Sequence, residues 1–180
     1  MDFILETERL FLRKINNQDI DDLFEMDADP EVHKFIENKP VKSKEQIAAI
    51  VAMLNKQYEE NGIARWAVIE KQTNECIGWA GLRYFRESLN HHKDFYELGY
   101  RFKQKHWGKG YATESSKAII EYGFKNLDIH SIFAITHPEN ANSINVLKKL
   151  GFKFIEVFDY DGAVTNWFEL TKPDVKKAFT

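Results

Sequence analysis

The residues best suited to chemistry lie in Lys105-His106-Trp107-Gly108-Lys109-Gly110-Tyr111-Ala112-Thr113-Glu114. This stretch follows a strand-like run at 95–102 and precedes a helix-like run at 112–127. The first amides of a helix lack internal partners and carry partial positive charge, so they form a natural seat for phosphate. Gly108 and Gly110 let an anion approach the backbone because no Cβ stands in the way. Lys103, Lys105, His106 and Lys109 add basic character. The expectation is a turn that holds the pyrophosphate of a nucleotide-like cofactor. It is not a Walker A loop, since Gly108-Lys109 is followed by Gly110 rather than Ser or Thr. It is not a dinucleotide fingerprint, because the third glycine is missing. Two glycines before a helix also make an ordinary tight turn, so other stretches must support the reading.

The elements that would position this turn can be read in order. Leu10, Leu12 and Ile15 suggest a first strand. Ile20, Leu23 and Phe24 recur at helical spacing, and Pro30 ends that helix or starts a short turn at 31–36. Ser43 and Gln46 form a capping-box pattern ahead of the stripe Ile47, Ile50, Val51, Leu54 and Tyr58, which Gly62 stops. Two apolar runs, 64–70 and 76–85, flank a polar turn and predict a hairpin, with Gly78 and Gly81 marking a close backbone approach or a bend. His91 and His92 lie in a polar loop with no third ligand nearby, so they read as solvated rather than metal-binding. After the glycine turn, Ala112, Ser116, Ile119, Ile120, Gly123, Phe124 and Leu127 share one helix face. The run 131–136 predicts a buried strand that completes a β-α-β unit. Asn140 or Asn142 would cap a second helix lined by Ile144, Leu147 and Leu150 and closed by Gly151. A hairpin of 152–158 and 163–170 turns at Asp161-Gly162.

Composition narrows the class. The 180 residues suit one domain, 1–180, with 43% hydrophobic residues and a net charge of -3. That charge gives no global basic footprint for nucleic acid. Cys76 is the only cysteine, which removes internal disulfides and cysteine-based zinc sites. The acidic start Asp2-Phe3-Ile4-Leu5-Glu6 does not read as a signal peptide, and no apolar run approaches the roughly 20 residues of a membrane helix. The expectation is a soluble, cytoplasmic protein.

Four stretches together resemble the GCN5-related N-acetyltransferases (GNAT), especially the branch containing the ribosomal-protein N-terminal acetyltransferases. They are Thr7-Glu8-Arg9-Leu10-Phe11-Leu12-Arg13, then Glu97-Leu98-Gly99-Tyr100, then Trp107-Gly108-Lys109-Gly110-Tyr111-Ala112-Thr113-Glu114. The fourth begins Asn140-Ala141-Asn142-Ser143 and ends Lys149-Leu150-Gly151-Phe152. The resemblance implies an α/β fold with a mixed, mostly antiparallel central sheet of about seven strands flanked by helices. It implies an acetyl-CoA donor, no metal, and direct acetyl transfer to a primary amine. The amides of Gly108, Lys109, Gly110, Tyr111, Ala112 and Thr113 would bind the pyrophosphate, with Trp107 also in the cofactor loop. Tyr100, Arg101 and Phe102 would line the pantetheine arm, and Asn140 would hydrogen-bond it. Trp107 stands where the family pattern has Gln or Arg, a departure that matters little if backbone amides do the gripping.

The implied reaction needs a neutral amine, a donor for the oxyanion and a proton for the departing thiolate. Glu97, a carboxylate in an apolar strand, is the candidate base through water; an ion pair with Arg101 is its bland alternative. Relatives that use a Tyr on the second cofactor helix are matched here by Leu147. The resemblance to the ribosomal-protein branch instead implies Ser143 as the partner for the sulfur, although it also suits a helix start. Tyr100 and Tyr111 read mainly as packing, and Cys76 as an inert core thiol. The acceptor cleft should draw on Phe35, Tyr84, Phe85 and Trp167 and on the acids Glu31, Glu37, Asp159 and Asp161. A small-molecule or peptide amine fits. The sequence does not choose among these acceptors, and it leaves a homodimer open. Two rivals remain: a non-catalytic acyl-CoA-binding module, and a nucleic-acid domain using the 103–109 basic residues.

Overall fold

The computed structural model describes residues 4–36 and 38–179. Its strands are β1 (Leu5–Glu6), β2 (Leu10–Lys14), β3 (Arg65–Glu70), β4 (Cys76–Phe85), β5 (Phe95–Phe102), β6 (Ser131–Thr136), β7 (Lys153–Tyr160) and β8 (Ala163–Thr171). Its helices are α1 (Ile20–Asp27), α2 (Pro30–His33), α3 (Lys44–Asn61), α4 (Tyr111–Asn126), α5 (Ala141–Lys149) and α6 (Lys172–Ala178). The eight strands form one sheet in the order β1-β2-β3-β4-β5-β6-β8-β7. The expected count of about seven omits the two-residue β1, which has no periodicity of its own and exists by pairing with β2. The short α6 was likewise not expected from the sequence; its first turn contains Pro173.

Local chemistry explains most boundaries. Gln46 accepts hydrogen bonds from the amides of Lys42 and Ser43 at 2.6 and 3.2 Å, which fixes the start of α3. Asn140 caps α5 by accepting from the Ser143 amide at 3.1 Å. Gly78 and Gly81 mark close approaches: a Cβ would stand 2.2 Å from the Arg101 carbonyl at the first and 2.5 Å from the Arg65 Cα at the second. Among the described residues, no helix is long and apolar enough to cross a membrane.

Two features of the sheet prepare the site. All registered pairings are antiparallel except β5 with β6, which run parallel and share the single registered pair Glu97 and Phe133. Past that pair the rest of β5 has β4 on one side and no registered strand on the other, which opens the sheet toward α5. The two faces also differ. Leu98 and Phe102 pack in the core with Ile119 and Ile120 of α4. Glu97, Gly99 and Arg101 point to the opposite face, where α1 supplies Asp27 to Arg101 at 2.6 Å. A second small core joins Phe95, Phe133 and Trp167. His92 stacks on Trp167 there, with ring centroids 5.2 Å apart, so this loop histidine is a packing group.

Candidate active site

A cavity of about 600 Å³ lies where β5 parts from β6. Its walls bring together the 107–113 turn, Tyr100, Arg101 and Phe102 of β5, Asn140 and Ser143 at the start of α5, and Glu31, Val32 and Phe35 from α2 and the turn after it. Of the expected site residues, Lys109 and Glu97 do not line it. Lys109 is exposed at the tip of the turn. Glu97 lies beneath the wall, 7% exposed.

The turn has the backbone its glycines anticipate. Gly108 and Gly110 take left-handed φ values of 74° and 84°. A Cβ at Gly108 would meet nothing within 4 Å, so the space above this peptide is open. The first α4 bond runs from the Glu114 amide to the Gly110 carbonyl at 3.0 Å, and the 108–113 amides find no acceptor among the described residues. Unpaired donors at a helix start favour an anion.

A clamp that local sequence does not reveal holds this turn. Glu114 accepts from the Thr7 hydroxyl at 2.6 Å, the Arg9 amide at 2.9 Å and Arg9 Nε at 2.7 Å. Arg9 also donates to the Lys109 carbonyl at 2.9 Å and lies over the Tyr111 ring at 4.5 Å. Burial pushes the Glu114 carboxyl up, but the Thr7 and Arg9 hydrogen bonds outweigh it and leave it below its ordinary value. Glu114 thus does more than favour the helix dipole. Thr7 and Arg9 belong to the opening motif, and that motif was the available signal.

The basic residues before the turn need correction. Lys103 is 3% exposed and lies 2.7 Å from each of Asp22, Glu25 and Glu75. Lys105 pairs with Glu25 at 3.2 Å and Glu75 at 2.8 Å. Both ammonium groups are spent on structural ion pairs, and His106 is buried. Lys103 and Lys105 are thus committed to carboxylates, whereas His106 lines the cavity. The acids could not be linked to them locally, because they come from α1 and from the turn before β4. Among the described residues this is also the one acidic group compact enough for a metal, and it encloses Lys103 instead.

The remaining side chains sort clearly. The Tyr100 hydroxyl lies 3.0 Å from Ser143 Oγ, and burial raises it to about 12, so it stays protonated. Leu147 is buried, 1% exposed. Tyr111 donates to Glu70 and is committed there. Burial raises the Cys76 thiol to about 12, consistent with an inert thiol. Glu97 is raised by burial, and Arg65 and Arg83 partly offset the rise. The alternative reading of Glu97, an ion pair with Arg101, is not seen among the described residues: Arg101 pairs with Asp27. Of the expected cleft residues, Glu31 and Phe35 line the cavity. Tyr84 donates to Asp94 at 2.9 Å, Phe85 stacks on Phe95, and Trp167 is buried in the second core. Asp159 and Asp161 shape the β7–β8 turn, and Glu37 lies outside the described residues. The sequence reading omitted Asn142, Asn145 and Lys149, which also line the cavity from α5.

An open sheet, a helix start with unpaired amides and a cavity between them are the geometry an acyl-CoA-type transferase requires. Residues 9–153 match the family model described as Acetyltransferase (GNAT) domain, and the chain belongs to that family of acetyl-CoA-dependent acyltransferases. An uncharacterized N-acetyltransferase, p20, from Bacillus licheniformis is 36% identical over 149 residues, covering 83% of this chain and 82% of the relative. The spermidine N(1)-acetyltransferase of Escherichia coli (strain K12) is 27% identical over 142 residues, covering 78% and 71%. Among solved structures, a GNAT-family acetyltransferase from Bacillus anthracis superposes with a TM-score of 0.75 at 27% identity, covering 94% of this chain and 98% of that one.

Proposed function

We propose that this chain moves the acetyl group of acetyl-CoA directly to a primary amine in the cavity beside Glu97. The observation that carries the reading is the set of unpaired 108–113 amides in a turn whose residues other than Lys109 line the same cavity as Tyr100 and Ser143. In this reading the amides of Gly108, Lys109, Gly110, Tyr111, Ala112 and Thr113 hold the pyrophosphate. Tyr100, Arg101 and Phe102 line the pantetheine arm. Asn140 spends its side-chain oxygen on the helix cap and keeps its NH₂ to donate to that arm.

The same reading assigns the roles in the reaction. The amine nitrogen bonds to the thioester carbonyl carbon, the carbon–sulfur bond breaks, and the amine proton passes through water to Glu97. The Tyr100 hydroxyl and Ser143 form a hydrogen-bonded pair that steadies the departing thiolate. A tyrosine raised to about 12 suits that task by donating a hydrogen bond rather than giving up its proton. Tyr100→Phe should lower kcat by roughly tenfold with little change in coenzyme A affinity. An unchanged kcat would place the donor elsewhere.

Two measurements test the whole reading. Calorimetry should detect coenzyme A uptake, and thiol release from acetyl-CoA should require an added amine. Gly110→Ala forces a side chain into a left-handed backbone, an unfavourable change of about 1–2 kcal/mol. It also brings a Cβ to 3.4 Å from Arg9. Coenzyme A should bind this variant roughly tenfold more weakly. Wild-type affinity would show that the turn does not hold the donor.

A further inference from the structure

Beside Glu97 the structure gathers more half-buried positive charge than it pairs. The sheet register places Arg65 opposite Gly81, and Gly81 opposite Gly99. The flanking rows are Trp79 with Arg101 and Arg83 with Glu97. Alternation puts all these side chains on one face. Two glycines in the middle row leave room for one long side chain to lie across them. Arg65 takes that room: a Cβ at Gly99 would stand 3.9 Å from its Nε, and its guanidinium sits 4.3 Å from the Trp79 ring centroid. Arg101 reaches the same ring at 5.3 Å and continues onto the cavity wall.

The pairing is uneven. Arg101 has Asp27 at 2.6 Å. Arg65 Nε is wholly buried without a hydrogen-bond partner. Among the described residues, neither Arg65 nor Arg83 has a carboxylate within ion-pair distance, and Arg83 rests on the Phe85 ring at 4.1 Å. Glu97 lies on the same face without hydrogen-bonding either arginine, and Asp27 is already taken. A buried, unpartnered Nε on a half-buried arginine is costly by itself, and a planar oxyanion matches the geometry of a guanidinium without a carboxylate partner.

We propose that the acceptor amine also carries a carboxylate, which Arg65 and Arg83 bind while the amine faces Glu97. This rests on the acetyltransferase reading and names its substrate class: small amino acids rather than polycations. A polyamine would bring positive charge against three guanidinium groups. Trp79 and the two glycines hold Arg65 in place for this role, because any side chain at Gly99 would meet the Trp79 ring at 3.3 Å and Arg65 Nε at 3.9 Å.

The test compares matched acceptors that differ only in charge: α-, β- and γ-amino acids, their carboxamides, and polyamines. Thiol release is measured for each, with calorimetry on the coenzyme A-loaded protein. At least one amino acid should exceed its carboxamide by roughly tenfold or more in kcat/KM, mainly through KM. Arg65→Gln should abolish that preference, Arg65→Lys should restore part of it, and coenzyme A affinity should stay at the wild-type level in both. If the variants fold poorly, the wild-type comparison of acid with carboxamide decides alone. Equal use of acids and carboxamides, or turnover of polyamines only, would overturn the proposal and leave the acetyltransferase intact. Failure to bind coenzyme A or to release thiol with any amine would remove both.

Discussion

Glu97→Gln is expected to lower kcat/KM for amine acetylation by about 100-fold or more at neutral pH. Coenzyme A affinity should be unchanged, because Glu97 lies off the cavity wall that the donor would touch. Burial raises the carboxyl, and Arg65 and Arg83 only partly counter that rise. The working form is the carboxylate, so the wild-type rate should fall as pH drops through this raised value. Gln cannot titrate, and that acidic limb should vanish from the variant's profile. Stability should move the other way. A carboxyl raised on folding opposes the native state once pH exceeds its unfolded value, and Gln removes that burden. A pH–rate profile with a denaturation curve checks both. Wild-type turnover with an intact acidic limb would assign the base to another group.

Lys103→Met should produce the largest loss of stability. The ammonium is nearly inaccessible and holds Asp22, Glu25 and Glu75 at 2.7 Å each. Removing it leaves carboxylates facing one another with Lys105 and, beside Glu75, His106 nearby, at an expected loss of about 3–5 kcal/mol. For a chain of this length that corresponds to a fall in Tm of roughly 10 °C. The pH dependence carries a second signature. Burial raises Glu75, but Lys103 and Lys105 more than reverse this and bring it to about 2, and Glu25 is lowered by its Lys103 bond. Carboxyls depressed on folding contribute stability that is complete above their ordinary range. It is lost as pH falls from that range through about 2. Wild-type protein should therefore lose stability steeply in acid, and the Met variant less steeply. Thermal melts across pH provide the check. A variant melting close to wild type at neutral pH would mean that the network contributes little.

What the sequence disclosed, and what it hid, divides by distance along the chain. The Gly108-Lys109-Gly110 turn, the Asn140 cap and the Ser43–Gln46 box are local chemistry, visible because each acts within a few residues. Gly78 and Gly81 were legible as close approaches, although not what approached them. Lys103 and Lys105 misled because proximity to the turn in sequence suggested phosphate, while their carboxylates sit on α1 and ahead of β4. Arg65 and Arg83 were silent for the same reason. Nothing local tells that two glycines on neighbouring strands clear a path for one guanidinium, and only the register of β3, β4 and β5 brings them together. Of the expected acceptor residues, Glu31 and Phe35 line the cavity, while Tyr84 is held by Asp94, Trp167 by the second core and Asp159 by the β7–β8 turn.

The clamp between Arg9 and Glu114 bears on how the molecule matures. It joins groups 105 positions apart, so the turn is secured only after the first and second halves of the chain have met. A fragment containing the whole 95–126 segment would still lack this tether. Trimming the residues ahead of β2 should therefore weaken donor uptake before it unravels the sheet, and uptake of coenzyme A becomes a gauge of finished assembly.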